Sequence, residues 1–197
     1  MSRIIPKAKP KNGLDFLNPL IKAAKKHPNW KDDKCILVLV RGYYRDSMGV
    51  KGRNDRRIYD DAAFWIDLET NRFSSWNCNT DPNGYRKGWG KGSKKGMASL
   101  KTGLWRYKKG MHYGSKPHMA FRQAADVTVI RDGSPDYEDH GQFGINIHSG
   151  RDYSTSSLGC QTFPESQWIG FRDEGYKLIK KYGQEKNFPV LLVEIQG

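Results

Sequence analysis

His148 and Cys160 are the residues of this chain best suited to do chemistry together, and the stretch from Phe143 to Pro164 gives the reason. Phe143, Ile145 and Ile147 alternate with Gly144, Asn146 and His148, the period of a strand with one apolar face. Asn146 and His148 therefore share the other face. A loop rich in Ser and Thr follows, and a second extended piece begins at Gly159, with Cys160 and Thr162 on one face. Strands joined by so short a loop are expected to be neighbours, which brings imidazole to thiol. That pair is the unit of cysteine nucleophilic catalysis: the base takes the thiol proton, the thiolate attacks a carbonyl and an acyl-enzyme forms. A thiol of this kind is expected to alkylate quickly near neutral pH and to slow when His148 is removed. The competing reading is a satisfied core histidine beside an inert thiol.

The rest of the chain must hold this pair. Residues 1–13 read as a basic, loosely ordered arm. Asn18 and Pro19 open a short helix that His27-Pro28 closes, with Ile21, Ala24 and Leu17 or Leu20 as its apolar face. Cys35 onward reads as a central strand apolar on both faces. Ala62 to Leu68 and Arg72 to Cys78 form a hairpin through Glu69-Thr-Asn, and short strands are expected over Gly103 to Tyr113, Met119 to Ala124 and Asp126 to Ile130. Ser166 to Tyr182 reads as a helix with a stripe of Trp168, Phe171, Leu178 or Ile179, and Tyr182. Pro189 to Ile195 is a closing strand. The sum is a mainly β fold, a β-sandwich or open barrel of mixed sheets with a short N-terminal helix and one C-terminal helix. Residues 1–30 make the arm and first helix, and 31–197 a single domain.

Charge narrows the partners. The net charge is +13, and between Pro82 and Ala125 there are eleven Lys or Arg and no acid. Such a field favours a polyanion: nucleic acid, an anionic membrane face or an anionic wall polymer. The Arg86 to Lys101 loop, with Trp89 and later Trp105, has the elements for phosphate contact and stacking, but no base-reading motif accompanies them, so nucleic acid is not favoured. Three cysteines with no CxxC spacing make neither a disulfide framework nor a zinc motif, and Cys35 and Cys78 read as core residues. The N-terminus shows no apolar signal core and the longest strongly apolar run, Cys35 to Val40, is too short to span a bilayer, so no transmembrane segment is expected and synthesis in the cytoplasm is.

Other residues invite chemistry less strongly. Asn77 to Gly88 starts like a calcium loop but ends on Gly where a bidentate Glu is needed, so it reads as a turn. Asp60 and Asp61 are adjacent, so on a strand they face opposite ways and do not form a shared-proton dyad. His112, His118 and His140 lack ligand spacing and read as solvated or turn-capping, with His112 or Tyr113 within reach of the cleft. Arg131, at a strand end, suits a substrate carboxylate, or else a surface ion pair with Asp132 or Asp136.

The order His148-Ser149-Gly150, a loop, then Ser157-Leu158-Gly159-Cys160 resembles the L,D-transpeptidase (YkuD-type) catalytic domain. Papain-like and NlpC-type enzymes run Cys before His, and sortases separate the two more widely. The resemblance implies a β-sandwich and acyl transfer on peptidoglycan stem peptides through a cysteine thioester, with no cofactor or metal. It makes Cys160 the nucleophile and His148 the base. The Ser149 carbonyl would orient the imidazole, and the amides of Gly159 and Cys160 would form the oxyanion hole. Asn146, Ser157, Arg131 and Thr162 become candidate substrate-binding residues. Departures are a shorter His-to-Cys gap, Leu158 where many members have a second His, and Gln161-Thr162 where an Arg or Asn usually follows the Cys. Arg45-Asp-Ser-Met-Gly, Asn54-Asp-Arg-Arg-Ile-Tyr-Asp-Asp and Asn77-Cys-Asn-Thr-Asp-Pro are similar to a subgroup found in phage and prophage proteins. That implies a lytic enzyme acting at the bacterial wall after holin release, its positive charge drawing it to anionic envelope. Cross-linking transpeptidation, or a non-catalytic basic module that binds wall or nucleic acid, are the alternatives.

Overall fold

The computed structural model describes residues 4–88, 95–113 and 116–195. Its centre is the apolar run of the sequence: β1 (Cys35–Arg41) is buried along its whole length. A strand apolar on both faces needs cover on both, and two separate cores supply it. β1 pairs in parallel with β11 (Phe188–Glu194) and antiparallel with β2 (Asp61–Asp67), which forms the expected hairpin with β3 (Arg72–Cys78). On the other side β11 meets β5 (Gly103–His112), then β6 (His118–Gln123), β9 (Ile147–Ser149) and β10 (Gln161–Phe163), giving one mixed sheet in the order β10-β9-β6-β5-β11-β1-β2-β3. Its two edges meet: Asn79, just past β3, and Thr162 of β10 exchange both backbone hydrogen bonds at 2.8 Å. The sheet thus curls into a nearly closed barrel, the mainly β architecture that the strand pattern predicts.

α2 (Glu165–Lys181) packs Trp168, Phe171 and Ile179 onto one face of this sheet, among Trp65, Phe121, Phe163 and Phe188. Phe163 and Phe171 stack at 3.7 Å between centroids. Gly175 is required there, because a Cβ would lie 2.4 Å from the Trp65 ring. α1 (Leu14–Ala24) buries Leu17, Ile21 and Ala24 against the opposite face, with Ile36, Val38 and Phe64. Helix and sheet thus share a core across the boundary drawn at residue 30. Behind them Arg106 of β5 grips Asp33 bidentately at 2.7 and 2.9 Å, both residues buried.

Four local expectations change. α1 begins at Leu14, after Gly13, and Pro19 lies inside it. Pro19 removes one helical bond on an exposed side of the helix, a loss that burial of Leu17 and Ile21 outweighs. The arm, expected to be loose, is fastened over residues 4–13: Tyr59 donates to the Ile4 carbonyl, Tyr44 to Ala8 and Ser75 to Pro10, and the Lys9 ammonium sits 3.4 Å over Trp76. Two further strands appear, β4 (Ala98–Leu100) inside the stretch read as a basic loop and β8 (Tyr137–Gly141) where no element was assigned, flanking β7 (Val127–Arg131) in a second sheet of three. The strand through His148 is also shorter than its alternation suggests, starting at Ile147.

Candidate active site

β9 and β10 lie side by side in parallel, with His148 opposite Thr162. Cys160, one residue before β10, falls beside Asn146, whose carbonyl accepts from the Gln161 amide at 2.9 Å. One ring nitrogen of His148, one of His112 and Cys160 Sγ all lie within 4.8 Å of one another. The loop joining histidine to cysteine is held down along its length. The Tyr59 hydroxyl donates to the carbonyls of Arg151 and Ser154, and the Asn83 amide to Ser157. A Cβ at Gly150 would sit 2.3 Å from that tyrosine oxygen, so only glycine passes beneath it.

His148 is buried, and its Nδ1 lies 2.7 Å from the Ser149 carbonyl. A carbonyl only accepts, so the ring proton sits on Nδ1 and Nε2 carries the free lone pair. Burial, then the neighbouring His112, lower its pKa to about 4, so the imidazole is neutral at pH 7. Cys160 is half-buried, and loss of solvent around Sγ pushes its pKa up to about 11 against a smaller lowering effect from the Asn146 amide. The thiol donates to the Gly144 carbonyl and accepts from Asn146 N–H, each at 3.4 Å, and makes no hydrogen bond with the imidazole. The resting pair is therefore a neutral thiol and a neutral base. Burial therefore works against a preformed thiolate–imidazolium pair.

The remaining candidates divide by placement. Ser157 organises the turn before the thiol: its hydroxyl donates to the Cys160 carbonyl at 2.5 Å and accepts from the Gly159 amide at 3.0 Å. The Gly159 amide is thereby engaged, which leaves the Cys160 amide as the remaining oxyanion-hole candidate of this pair. Gly159 itself has a packing reason, since a Cβ there would meet the Ala98 carbonyl at 2.6 Å. Asn146 is buried, accepts from the Gln123 amide through Oδ1 and touches His112 through Nδ2 at 3.3 Å. Its side chain holds neighbours in place. Thr162 is fully buried between β9 and Asn79, away from open surface.

Cys160 opens into a groove of about 760 Å³ whose far wall is the second sheet. Met97, Ala98, Phe143, Ile145 and Leu158 give it an apolar lining, and Lys95 and Arg131 add positive charge. Arg131 pairs with neither Asp132 nor Asp136. It donates to Asp139 at 2.7 Å and to the Gly96 carbonyl, with its guanidinium 4.8 Å from the Phe143 ring centre. Lys95 shares Asp139 at 3.1 Å.

Two histidines matter more than their sequence context suggests. His112 stacks on His148 at 4.1 Å with planes 21° apart. His118 caps its turn as read, with Nδ1 3.0 Å from the Lys116 carbonyl, and also packs against His148 and Trp168, its Nε2 buried with no partner among the described residues. Their signal is the register of one hairpin, which sets His112 opposite His118 and so puts both beside β9. His140 stays at the surface near Thr128 and Asp126. Cys35 and Cys78 are buried, and burial raises both thiols.

The acids, and Lys95 and Lys101 among the described residues of the basic loop, are occupied within the fold. Asp61 accepts from Gly42 and Thr80 while Asp60 accepts from Asp55, so the adjacent carboxylates face different partners. Asp81, inside the calcium-like stretch, pairs with Arg41 at 3.3 Å and accepts from Asn54. Lys101 pairs with Glu138, and Trp105 donates to the Lys101 carbonyl and packs half-buried against the main core. Trp89 lies outside the described residues. Among the described residues no helix is long and apolar enough to cross a membrane.

No protein-family model, curated protein or solved structure matches the chain.

Proposed function

We propose that this protein is a cysteine acyl-transfer enzyme of L,D-transpeptidase type that cleaves peptidoglycan stem peptides through a thioester on Cys160. The observation that carries this reading is the Cys160–His148 pair at the end of an open groove, the imidazole held in one tautomer by the Ser149 carbonyl. With Nδ1 protonated, Nε2 takes the thiol proton as sulfur attacks the peptide carbonyl carbon, once Sγ turns from Gly144. The imidazolium then protonates the departing amine. Water, deprotonated by the same nitrogen, attacks the thioester and releases the acid. The Cys160 amide faces the developing oxyanion. An apolar groove edged by Lys95 and Arg131, which together keep one positive charge beyond the Asp139 they share, suits an extended peptide bearing a carboxylate, and the overall +13 favours association with anionic envelope.

The test is digestion of purified sacculi with wild type and Cys160→Ala, reading released muropeptides by mass spectrometry. Shortened stem peptides with wild type alone are expected. Growth of dimers with wild type alone would replace hydrolysis by cross-linking, and identical products from both proteins would overturn acyl transfer.

A further inference from the structure

We propose that His112, His148 and Cys160 form a binding site for Zn²⁺, and that the bound ion shuts off the thiol. Two imidazoles and a thiolate are the borderline-soft donor set that zinc prefers, and three protein ligands leave the fourth position to the groove. The three donor atoms lie within 4.8 Å of one another, against roughly 3.3–3.7 Å between ligand atoms around a tetrahedral zinc, so a shift of about 1 Å brings them into range. A second observation points the same way. The bond from His148 Nδ1 to the Ser149 carbonyl is the outer contact that metal-ligating histidines use to fix their free nitrogen on the ion.

The stacking of the two rings identifies which one moves. Planes 21° apart at 4.1 Å hold the in-plane lone pairs in nearly parallel layers that do not meet near the nitrogens, so one ring must turn for both to reach an ion. His148 is buried and pinned at 2.7 Å. His112 is the last residue of β5, half-buried, and held at its Nδ1 only by the 3.3 Å contact from Asn146. His112 therefore swings out of the stack to close the site. As the S–Zn bond forms, the Cys160 proton leaves to solvent, and the sulfur lone pair that would attack a carbonyl is spent on the metal. The inference is independent of the acyl-transfer reading, because it is read from metal binding and thiol blocking, whatever the substrate.

Co²⁺, which reports thiolate ligation by a near-ultraviolet charge-transfer band, serves as the probe on the full chain. Wild type is expected to develop the band, Cys160→Ala to lack it, and His112→Gln to bind Co²⁺ at least tenfold more weakly while melting at the wild-type temperature. His118→Gln, whose ring touches His148 but lies outside the donor set, is expected to bind as wild type does. Zn²⁺ is expected to bleach the band and stop iodoacetamide labelling of Cys160. No band, a band that survives Cys160→Ala, wild-type affinity in both His112→Gln and His112→Ala, or labelling unchanged by Zn²⁺ would each overturn the proposal.

Discussion

At the scale of single residues, the site consists of two groups kept neutral by their surroundings. Burial works on them in opposite directions, raising the thiol to about 11 and lowering the imidazole to about 4, so no ion pair forms at rest. The alkylation rate of Cys160 with iodoacetamide should therefore climb about tenfold per pH unit from pH 7 to 9 without a plateau. A preformed thiolate–imidazolium pair would instead give a plateau across neutral pH, and observing one would contradict this assignment. The Cys–His adjacency was legible because two short extended pieces and one loop leave the chain few other ways to run. The tautomer of His148 and the engagement of the Gly159 amide by Ser157 were not. Both depend on which backbone atom each polar group meets, and alternation does not encode that. His112 was placed within reach of the cleft, and it lines the groove, but the packing of His112 and His118 on His148 was hidden for a related reason, since a hairpin register places them and a strand distant in sequence receives them.

Among elements, the apolar ones were the readable ones. β1, the β2–β3 hairpin, α2 and β11 announce themselves by runs or stripes of buried side chains. β8 has no such stripe because its residues are half-buried or exposed along an edge, and β4 is only three residues long after a basic loop. Yet β4 lines the groove through Ala98, and Asp139 of β8 gathers the Arg131 and Lys95 that edge it. The start of α1 was misplaced because Asn18-Pro19 has the form of a helix opening, whereas burial of Leu17 extends the helix back past it. The segment before β1 is tied to β5 by the buried Arg106–Asp33 pair. Removing one partner leaves the other charge buried alone, so Asp33→Ala should lower unfolding stability by about 3–5 kcal/mol in urea titration. A loss below about 1 kcal/mol would show that water reaches Arg106.

For the whole molecule, buried titratable groups couple stability to pH in opposing senses. The native state holds His148 at about 4 against 6.5 in the unfolded chain, so between those values it binds fewer protons than the unfolded state. That stability is present above pH 6.5 and is lost as pH falls through 6.5 toward 4, on the order of 3 kcal/mol in all. Burial raises Asp60 and Asp61, with Asp61 adding to Asp60 and Asp81 to Asp61, so their contribution is greatest in acid and is lost as pH rises toward neutrality and just above. The difference between wild type and His148→Gln isolates the histidine. Its stability gap measured at pH 7 should shrink by pH 4.5, and a constant gap would mean that the imidazole is solvated in the native state. The charge reading also sharpens at this scale. Part of the basic stretch spends its charge within the fold, Lys95 on Asp139 and Lys101 on Glu138.

The central claim is a covalent acyl-enzyme on Cys160, and intact-protein mass spectrometry after brief incubation with purified muropeptides tests it most directly. The expected result is an adduct with the mass of the acyl portion of the stem peptide, mapped by proteolysis to the fragment bearing Cys160 and absent from Cys160→Ala. Product formed by Cys160→Ala at the wild-type rate, with no adduct on either protein, would contradict it.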